Sequence, residues 1–315
     1  MRILFMGTPD FAKESLECLY NSGYDIIGVV TNPDRPKGRG MKMIASPVKE
    51  FAVEKNLKVY QPLKIKKNIE FIEEIKKMNP DVICVVAYGK ILPEEILNIP
   101  KYGCINVHGS ILPEYRGAAP IQWAVINGDK TTGVTTMYMD KGMYTGDMIL
   151  KEEVEIGEDE TTGELWERLS KIGGKLLVQT IKDIEKGTAS RTKQGEKYTV
   201  APMLNKEIAK IDFENKTAKE IKNLVRGLNP IMGAYTFINN KKLKFWKVQT
   251  YTFEDFDKKG FDVKYAEIDN GNIVLADCKK GLYIKAKDGI IEVLEIQGEN
   301  GKKMNAKDYL RGNTI

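Results

Sequence analysis

Apolar residues in the first half of the chain follow two spacings, short continuous runs and helical periods. The continuous runs predict strands buried on both faces, and the helical periods predict amphipathic helices packed against them. The predicted strands cover 2–6, 24–31, 81–87 and 104–108, and the predicted helices cover 11–20, 46–55 and 118–127. Strands that alternate with helices indicate a doubly wound α/β domain with a parallel sheet, whose active site lies at the carboxyl ends of the strands.

A change of pattern between about residues 187 and 210 separates this domain from a second one. The stretch 187–197 is polar and without periodicity, which is typical of a surface connection. The elements predicted after it are a helix over 216–228 and strands over 234–238, 243–250, 272–276, 281–286 and 290–296. Short strands separated by Asn-Asn, Asp-Asn-Gly and Lys-Asp-Gly turns predict a small barrel.

The composition is that of a globular protein with two domains. The chain has 315 residues, of which 42% are hydrophobic, and a domain usually takes roughly 100–200 residues. No apolar run approaches the roughly 18 residues that cross a bilayer. The N-terminus breaks at Gly7-Thr8-Pro9 before a signal-peptide core can form. We therefore expect a cytoplasmic protein with no membrane partner.

Charge and metal-binding residues narrow the function classes. The net charge is +5, and residues 206–315 carry this excess with 21 basic and 16 acidic side chains. An excess of this size allows contact with a polyanion. The four cysteines lie far apart without CxxC spacing, and the chain has one histidine. Neither a metal site nor a disulfide framework is predicted.

The first strand–helix turn argues against a nicotinamide-dependent enzyme. Such a site needs several glycines so that the backbone can approach a pyrophosphate. The turn here has Gly7 alone, followed by Pro9 and Asp10, and the aspartate would repel a phosphate. No GxGxxG or P-loop follows elsewhere, so a dehydrogenase is excluded.

The single histidine lies at the end of a predicted strand beside an asparagine. Asn106 and His108 are two residues apart, so their side chains leave the same face of the strand. An amide next to an imidazole can polarise a carbonyl and hold an oxyanion, and histidine can transfer protons near neutrality. The simpler interpretation is a strand-end histidine that is hydrogen-bonded to the backbone.

A known family carries the same motifs in the same order. Asn106-Val107-His108 followed by the run SILP resembles the signature of formyltransferases that use 10-formyltetrahydrofolate, and YRGAAPIQ narrows the likeness to methionyl-tRNA formyltransferases. Further matching segments are GTPDFA at 7–12, NPDRPKGRG at 32–40, SPVK at 46–49, VVAYGKILP at 85–93, YTVAPMLNKE at 198–207 and KKMNAKDYLRG at 302–312. The resemblance covers essentially the whole chain.

The resemblance implies a fold, a reaction and a set of residues. A Rossmann-like formyl-transfer domain would cover 1–188, a linker 189–206 and an OB-like tRNA-binding barrel 207–315. The enzyme would be a monomer that moves the formyl group of 10-formyltetrahydrofolate to the amino group of initiator methionyl-tRNA for translation initiation. Asn106 would hold the oxyanion and His108 would assist proton transfer. The residues implied for folate binding are Ser110, Ile111, Leu112, Pro113, Tyr88 and Gly89.

One position departs from the family pattern. The family has an aspartate within Leu-Asp-Thr-Gly-Asp, whereas this chain has Tyr144 in Met-Tyr-Thr-Gly-Asp. A phenol cannot supply a negative charge at neutral pH, so the histidine would lose support for its protonated form. We hypothesise that the fold and pockets are kept while turnover is strongly reduced.

Basic residues complete the implied site. The family has a basic insertion that contacts the tRNA acceptor end, and its counterpart here is the stretch 32–42. The residues implied for tRNA binding are Arg35, Lys37, Arg39, Lys42, Lys206 and Lys210. Two alternatives stay open, namely a formyltransferase acting on a small amine, such as a nucleotide sugar or glycinamide ribonucleotide, and a catalytically silent tRNA- or folate-binding protein.

Overall fold

A computed structural model describes residues 1–37, 41–142 and 144–315 of the chain. These residues divide into two compact units. The first comprises 1–120, 131–155 and 166–202, and the second comprises 121–130, 156–165 and 203–315. The second unit therefore includes two short segments from the first half of the sequence besides the C-terminal third.

A seven-stranded sheet forms the centre of the first unit. The strands of this unit are β1 (Arg2–Gly7), β2 (Asp25–Val30), β3 (Arg35–Lys37), β4 (Lys42–Ile44), β5 (Val59–Tyr60), β6 (Val82–Val86), β7 (Cys104–His108), β8 (Arg116–Gly117), β9 (Thr131–Tyr138), β10 (Met148–Glu155) and β11 (Val200–Ala201). The helices before residue 187 are α1 (Asp10–Asn21), α2 (Pro47–Glu54), α3 (Ile69–Met78), α4 (Glu94–Leu97), α5 (Pro120–Asn127) and α6 (Thr162–Lys186). The order in the large sheet is β10-β9-β7-β6-β1-β2-β5.

The large sheet is mixed, which corrects the expectation of a wholly parallel one. Strands β7, β6, β1, β2 and β5 pair in parallel, whereas β9 pairs antiparallel with both β7 and β10. A short connection joins β9 to β10, and antiparallel neighbours need no crossover helix. Strand β10 also carries exposed charges from Lys151 to Glu153, which suits the edge of a sheet.

Local sequence explains where the flanking helices begin. Ser46 caps α2, because its side chain accepts a hydrogen bond from the Lys49 amide and Pro47 takes the first helical position. Asn68 caps α3 in the same way through the Phe71 amide. The buried face of α3 packs with β6 into an apolar core, so the ends of the central strands are held at fixed positions.

An antiparallel sheet forms the centre of the second unit. Its elements are α7 (Ala218–Gly227), β12 (Ala234–Ile238), β13 (Lys241–Tyr251), α8 (Phe253–Asp257), β14 (Ile273–Asp277), β15 (Gly281–Ala286), β16 (Gly289–Gly298), β17 (Met304–Asn305) and α9 (Ala306–Gly312). The order is β12-β13-β16-β15-β14, with β17 paired to β16. Asn239 and Asn240, both at positive φ, make the turn between β12 and β13, as the Asn-Asn pair predicts.

Helix α7 packs on this sheet and begins with a capping box. The Thr217 side chain accepts from the Glu220 amide, and the Glu220 carboxylate accepts from the Thr217 amide. Hydrogen bonds to the Thr217 amide and hydroxyl and to Lys216 lower the pKa of Glu220 to about 2. Among the described residues no helix is long and apolar enough to cross a membrane.

Candidate functional site

Asn106 and His108 lie in the last three residues of β7. Asn106 pairs with Val85 of β6 and Met137 of β9, and His108 pairs with Thr135 of β9. Strand neighbours on both sides therefore fix this part of the backbone. The Asn106 Oδ1 atom is buried and has no hydrogen-bond partner among the described residues. An unpaired buried acceptor carries a desolvation penalty, so a bound group that donates to it would be favoured.

The His108 imidazole is almost completely buried, with 4% of its surface exposed. Its Nε2 atom lies 2.9 Å from the Tyr115 carbonyl oxygen. A carbonyl can only accept, so Nε2 carries the proton and Nδ1 is the unprotonated, basic nitrogen. Burial lowers the pKa of His108 to about 4, and the Tyr115 carbonyl opposes this only in part. The imidazole is therefore neutral at pH 7.

Tyr144 covers the imidazole. The centroids of the two rings are 4.4 Å apart and their planes meet at 45°. The phenol ring packs against Leu112, Met137 and Met148, and burial raises its pKa. The residue stands at φ +59°, a conformation that aspartate and asparagine adopt more readily than tyrosine. The backbone at this position thus suits an aspartate or asparagine better than the residue present.

The nearest acidic residues in sequence have other partners. Asp147 lies 3.8 Å from the Arg191 guanidinium, which itself packs over the Tyr138 ring. Asp140 accepts from the Gly142 amide and the Thr145 hydroxyl within its own turn. Neither carboxylate is among the groups that shift the pKa of His108. Neither Asp140 nor Asp147 therefore supplies a charge to the imidazole.

Buried hydrogen bonds fix the loop after β7 on its inner side. The Ser110 hydroxyl donates to the Glu114 carbonyl, at 2.6 Å, and is fully buried. The Thr135 hydroxyl donates to the Ser110 carbonyl and accepts from the Leu112 amide. Leu112 is fully buried, whereas Ile111 and Pro113 are partly exposed. The outer face of this loop thus consists of Ile111, Pro113 and backbone, and Ser110 holds the loop in shape.

Tyr88 and Gly89 follow the end of β6. The Tyr88 ring is 2% exposed and belongs to the apolar core, and its hydroxyl has no partner in the described part of the chain. Its carbonyl accepts from the Asn32 side-chain amide, which also donates to Thr8. Gly89 is exposed at φ +76°. Backbone and Gly89, rather than the Tyr88 ring, face outward here.

The basic stretch folds as a hairpin of β3 and β4, for which the sequence predicts only a loop. Arg35 is exposed and pairs with Ile44, and Lys37 pairs with Lys42. Arg39, together with the side chains of Lys37 and Lys42, lies outside the described residues. Asp34, at the base of the hairpin, accepts from Lys49 at 2.6 Å and from Gln61 at 2.8 Å. These bonds lower its pKa.

Lys206 and Lys210 belong to the second unit, and both are exposed. The Lys210 backbone forms an isolated bridge with Tyr235 on β12. The four other proposed tRNA-binding residues lie in the first unit or outside the described residues. The implied tRNA-binding residues are thus divided between the two units.

Polar residues that sequence reasoning passes over also surround the site. Arg116 donates twice to the Gln194 side chain and packs over the Tyr198 ring. Gln194 in turn donates to the Tyr144 and Gly146 carbonyls. The stretch 187–197 has no periodicity and therefore gives no signal of these contacts. Among the described residues no cluster of three or more His, Cys, Asp or Glu could hold a metal ion.

Comparison with known sequences gives consistent matches over the whole chain. A family model described as "Formyl transferase" matches residues 1–181, and one described as "Formyl transferase, C-terminal domain" matches residues 203–314. The methionyl-tRNA formyltransferase of Clostridioides difficile is 51% identical, over 100% of this chain and 98% of that protein. The corresponding protein of Ruminiclostridium cellulolyticum is 48% identical, over 100% and 97%.

Comparison with solved structures gives the same fold at low sequence identity. HypX from Aquifex aeolicus matches with a TM-score of 0.66 at 16% identity, over 100% of this chain and 48% of HypX. This chain thus spans about half the length of HypX. WlaRD, a sugar 3N-formyltransferase solved with dTDP and 5-N-formyl-THF, matches with a TM-score of 0.66 at 20% identity, over 96% of this chain and 99% of WlaRD.

Proposed function

Because this chain belongs to the methionyl-tRNA formyltransferase family, we propose that it transfers the formyl group of 10-formyltetrahydrofolate to the amino group of initiator methionyl-tRNA. The observation that carries this proposal is the full-length identity of 46–51% to eight proteins of that name. The adjacency of Asn106 and His108 at the end of β7 supports it, since formyl transfer needs an oxyanion donor and a proton carrier.

Asn106 is the proposed oxyanion residue. As the amine adds to the formyl carbon, negative charge develops on the formyl oxygen, and the Nδ2 group can donate to it. The unpaired Oδ1 atom can accept an N–H bond from the attacking amine at the same time. A single amide would thus bind both atoms whose charge changes most in the transition state.

His108 is the proposed proton carrier. While the new carbon–nitrogen bond forms and the bond from the same carbon to the folate nitrogen breaks, one proton leaves the amine and one reaches the folate nitrogen. The Nε2–H group is held by the Tyr115 carbonyl, so Nδ1 is the atom that accepts and returns the proton. A neutral imidazole can do this only if its charged form is not too strongly disfavoured.

Folate is proposed to bind beside the loop after β7. The residues assigned to it are Ser110, Ile111, Leu112 and Pro113, with Tyr88 and Gly89 at the neighbouring strand end. Ile111, Pro113 and Gly89 would contact it directly, because they are at least partly exposed. Ser110, Leu112 and Tyr88 are buried and would act by holding the loops in shape.

Tyr144 is proposed to reduce turnover. An aspartate at this position would favour the protonated imidazole, whereas the tyrosine ring desolvates it and supplies no charge. Loss of an orienting carboxylate costs about 10⁴-fold in the serine proteases, so a large effect is expected here. The positive φ of residue 144 supports the view that the turn is built for the family's aspartate.

Transfer RNA is proposed to contact both units through basic side chains. Arg35, Lys37, Arg39 and Lys42 would approach the acceptor end from the hairpin, with Lys206 and Lys210 continuing toward the second unit. Asp34 is paired with Lys49, so it does not cancel the charge of the hairpin. Contacts of this kind are with phosphates and are weakened by salt.

The domain organisation is proposed as follows. A Rossmann-like doubly wound formyl-transfer domain covers 1–188, a linker covers 189–206, and an OB-like tRNA-binding barrel covers 207–315. The parallel-rich sheet and the antiparallel C-terminal sheet support the two fold classes. The protein would act as a cytoplasmic monomer, and no metal is assigned to the reaction.

The test is the transfer of labelled formyl from 10-formyltetrahydrofolate to methionyl-tRNA by the chain and by its Tyr144→Asp and Tyr144→Phe variants. We expect Tyr144→Asp to raise kcat by at least tenfold and Tyr144→Phe, the matched control, to leave it unchanged. Equal rates in all three would keep the activity and refute the account of Tyr144.

Two further outcomes distinguish the alternatives. Transfer to a nucleotide sugar or glycinamide ribonucleotide without transfer to methionyl-tRNA would indicate a small-amine enzyme. Binding of tRNA without any transfer, even with Tyr144→Asp, would indicate a silent binding protein. The second alternative is favoured by one specific observation, the tyrosine over the imidazole.

A further inference from the structure

The polar segment 194–201 contacts two parts of the site at once, although sequence reasoning treats it as part of a linker. All its residues belong to the first unit, together with His108 and Tyr144. Most of them are exposed and carry no chemistry of their own. Their contacts are with main-chain groups of the residues around the imidazole and with the Arg116 side chain.

The first contact determines where the Tyr115 carbonyl lies. The Thr199 hydroxyl accepts from the Tyr115 amide at 2.7 Å, and the Thr199 carbonyl accepts from the Arg116 amide at 2.9 Å. Tyr115 stands at φ +59°, a conformation that costs energy for a tyrosine and needs surrounding support. Parallel pairing of Val200 and Ala201 with β8 continues this support.

The Tyr115 carbonyl is the group that fixes the histidine. It accepts the Nε2–H bond of His108, and among the described residues no hydrogen bond of the Nδ1 atom is found. A neutral histidine chooses its tautomer by the hydrogen bond that one ring nitrogen makes. Displacement of this carbonyl would allow the proton to move to Nδ1 and remove the basic nitrogen from its present position.

The second contact holds the turn that carries residue 144. The Gln194 side-chain amide donates to the Tyr144 carbonyl at 2.9 Å and to the Gly146 carbonyl at 2.8 Å. Its oxygen accepts two bonds from Arg116, at 2.7 and 2.9 Å. All the hydrogen-bonding groups of this amide are therefore engaged. Arg116 follows Tyr115 directly, so one side chain joins both halves of the site.

We propose that the 194–201 segment positions the active site, with Thr199 fixing the His108 tautomer through the Tyr115 carbonyl and Gln194 fixing the turn that places residue 144 on the imidazole. Thr199 and Gln194 are positioning residues, because neither touches the reacting atoms. The activity consequence rests on the proposed function, whereas the consequence for the tautomer does not.

The tautomer can be measured without any substrate, because His108 is the only histidine in the chain. Protein without a histidine tag is labelled with ¹⁵N-histidine, and its imidazole nitrogens are recorded by NMR at pH 7. The native protein is expected to give one protonated Nε2 and one unprotonated Nδ1 signal. Thr199→Val is expected to give a mixture of the two neutral tautomers, and Thr199→Ser, which keeps the hydroxyl, is expected to restore the native spectrum.

Activity gives the second measurement. Loss of one hydrogen bond of this kind corresponds to a decrease of about three- to tenfold in kcat, and we expect this for Thr199→Val with both KM values within about twofold. Lys197→Gln, an exposed change in the same segment, is the matched control and should match the native protein in both measurements.

Gln194 is tested by a pair of variants that separate its two contacts. Gln194→Glu keeps an oxygen for Arg116 but places lone pairs against the Tyr144 and Gly146 carbonyls, whereas Gln194→Leu removes every bond. If Gln194 holds the turn, both variants displace the Tyr144 ring from the imidazole and shift the His108 NMR signals to a similar degree. Circular dichroism and melting temperature identify any variant that fails to fold.

Several results would overturn the proposal. A native histidine spectrum in Thr199→Val would do so, whether or not the chain transfers formyl groups. Native His108 signals in Gln194→Glu would show that the donations to the turn do nothing. A chain that transfers no formyl group, yet changes tautomer in Thr199→Val, would refute the proposed function and leave the positioning role of Thr199 standing.

Discussion

The pKa of the single histidine is determined by burial without a charged partner. His108 is inside the protein, and its hydrogen-bond acceptor is a neutral carbonyl. Burial therefore depresses the pKa to about 4, compared with 6.5 for the free side chain. An aspartate in place of Tyr144 would raise the pKa again. We therefore expect the substitution of this one neighbour to change the charge state of the proposed proton carrier above pH 4.

This pKa shift makes a prediction for stability against pH. Between pH 6.5 and 4 the unfolded chain binds a proton at His108 while the folded chain does not, so stability falls as the pH falls. The folded protein should lose up to about 3 kcal/mol over this range from His108 alone, and nothing above pH 7. Melting temperatures are measured at pH 7, 5.5 and 4.5 for the native protein and His108→Gln.

The glutamine variant is the control, because it removes the titrating group and can still donate to the Tyr115 carbonyl. The two melting curves should approach each other as the pH falls. A constant difference across the range would mean that the imidazole is protonated in the folded state. Tyr144→Asp should reduce the contribution of His108 to the pH dependence of the melting temperature, since a nearby carboxylate raises the pKa of histidine.

At the scale of elements, the strands predicted from the sequence agree best with the observed ones where burial alone determines the spacing of apolar residues. Strands 104–108, 234–238 and 281–286 agree residue for residue with β7, β12 and β15. The hairpin of β3 and β4 and the antiparallel strand β10 are not predicted. The described side chains of β3 and β4 are exposed, and β10 carries exposed charges over 151–153, so burial gives little pattern there and the partner strand determines the conformation. Sequence reasoning likewise places Asn106 beside His108, but the Tyr115 carbonyl that contacts the imidazole is supported by Thr199, from a segment about 90 residues away.

Helix α7 provides a prediction at this scale. Arg226 is 8% exposed, and its guanidinium donates to Asn223, Gly157 and Glu160 within the second unit. Arg226→Met would leave the buried Asn223 Oδ1 atom and the Gly157 and Glu160 carbonyls without this donor, and should lower the free energy of opening of α7 by about 2 kcal/mol. Hydrogen exchange of the α7 amides measures this local opening directly.

Lys222 provides the matched comparison on the same helix. It is also 8% exposed, but its partner Asp159 has a carboxylate side chain that is 71% exposed. An ion pair with one partner in solvent contributes roughly 0–1 kcal/mol. Lys222→Met should therefore change α7 exchange by less than about 1 kcal/mol. An equal effect of both substitutions would show that packing of the side-chain stem, rather than hydrogen bonding, holds the helix.

At the scale of the whole molecule, charge is distributed according to the proposed task. The residues before 206 are electrically balanced, and the excess of +5 lies after them. The hairpin of β3 and β4 adds a local positive group in the first unit, because Asp34 is paired with Lys49. A substrate with phosphates along its length can be attracted by both without any large net charge. Overall composition cannot reveal this, since the charges of the first unit cancel in the sum.

Binding of tRNA should therefore weaken steeply as the salt concentration rises. Substitutions of separate basic residues should each lower the slope of log Kd against log salt concentration. Each phosphate contact contributes about 0.7–0.9 to the slope of log Kd against log salt. Arg35→Gln should lower the slope by about 1, and the double variant Lys206→Gln/Lys210→Gln by about 2. Lys186→Gln, an exposed change at the end of α6, should leave it unchanged. Filter binding of methionyl-tRNA between 50 and 300 mM KCl measures the slopes. If Arg35→Gln weakens binding but keeps the full slope, Arg35 contacts a base or sugar instead of a phosphate, because only a phosphate contact releases a counterion.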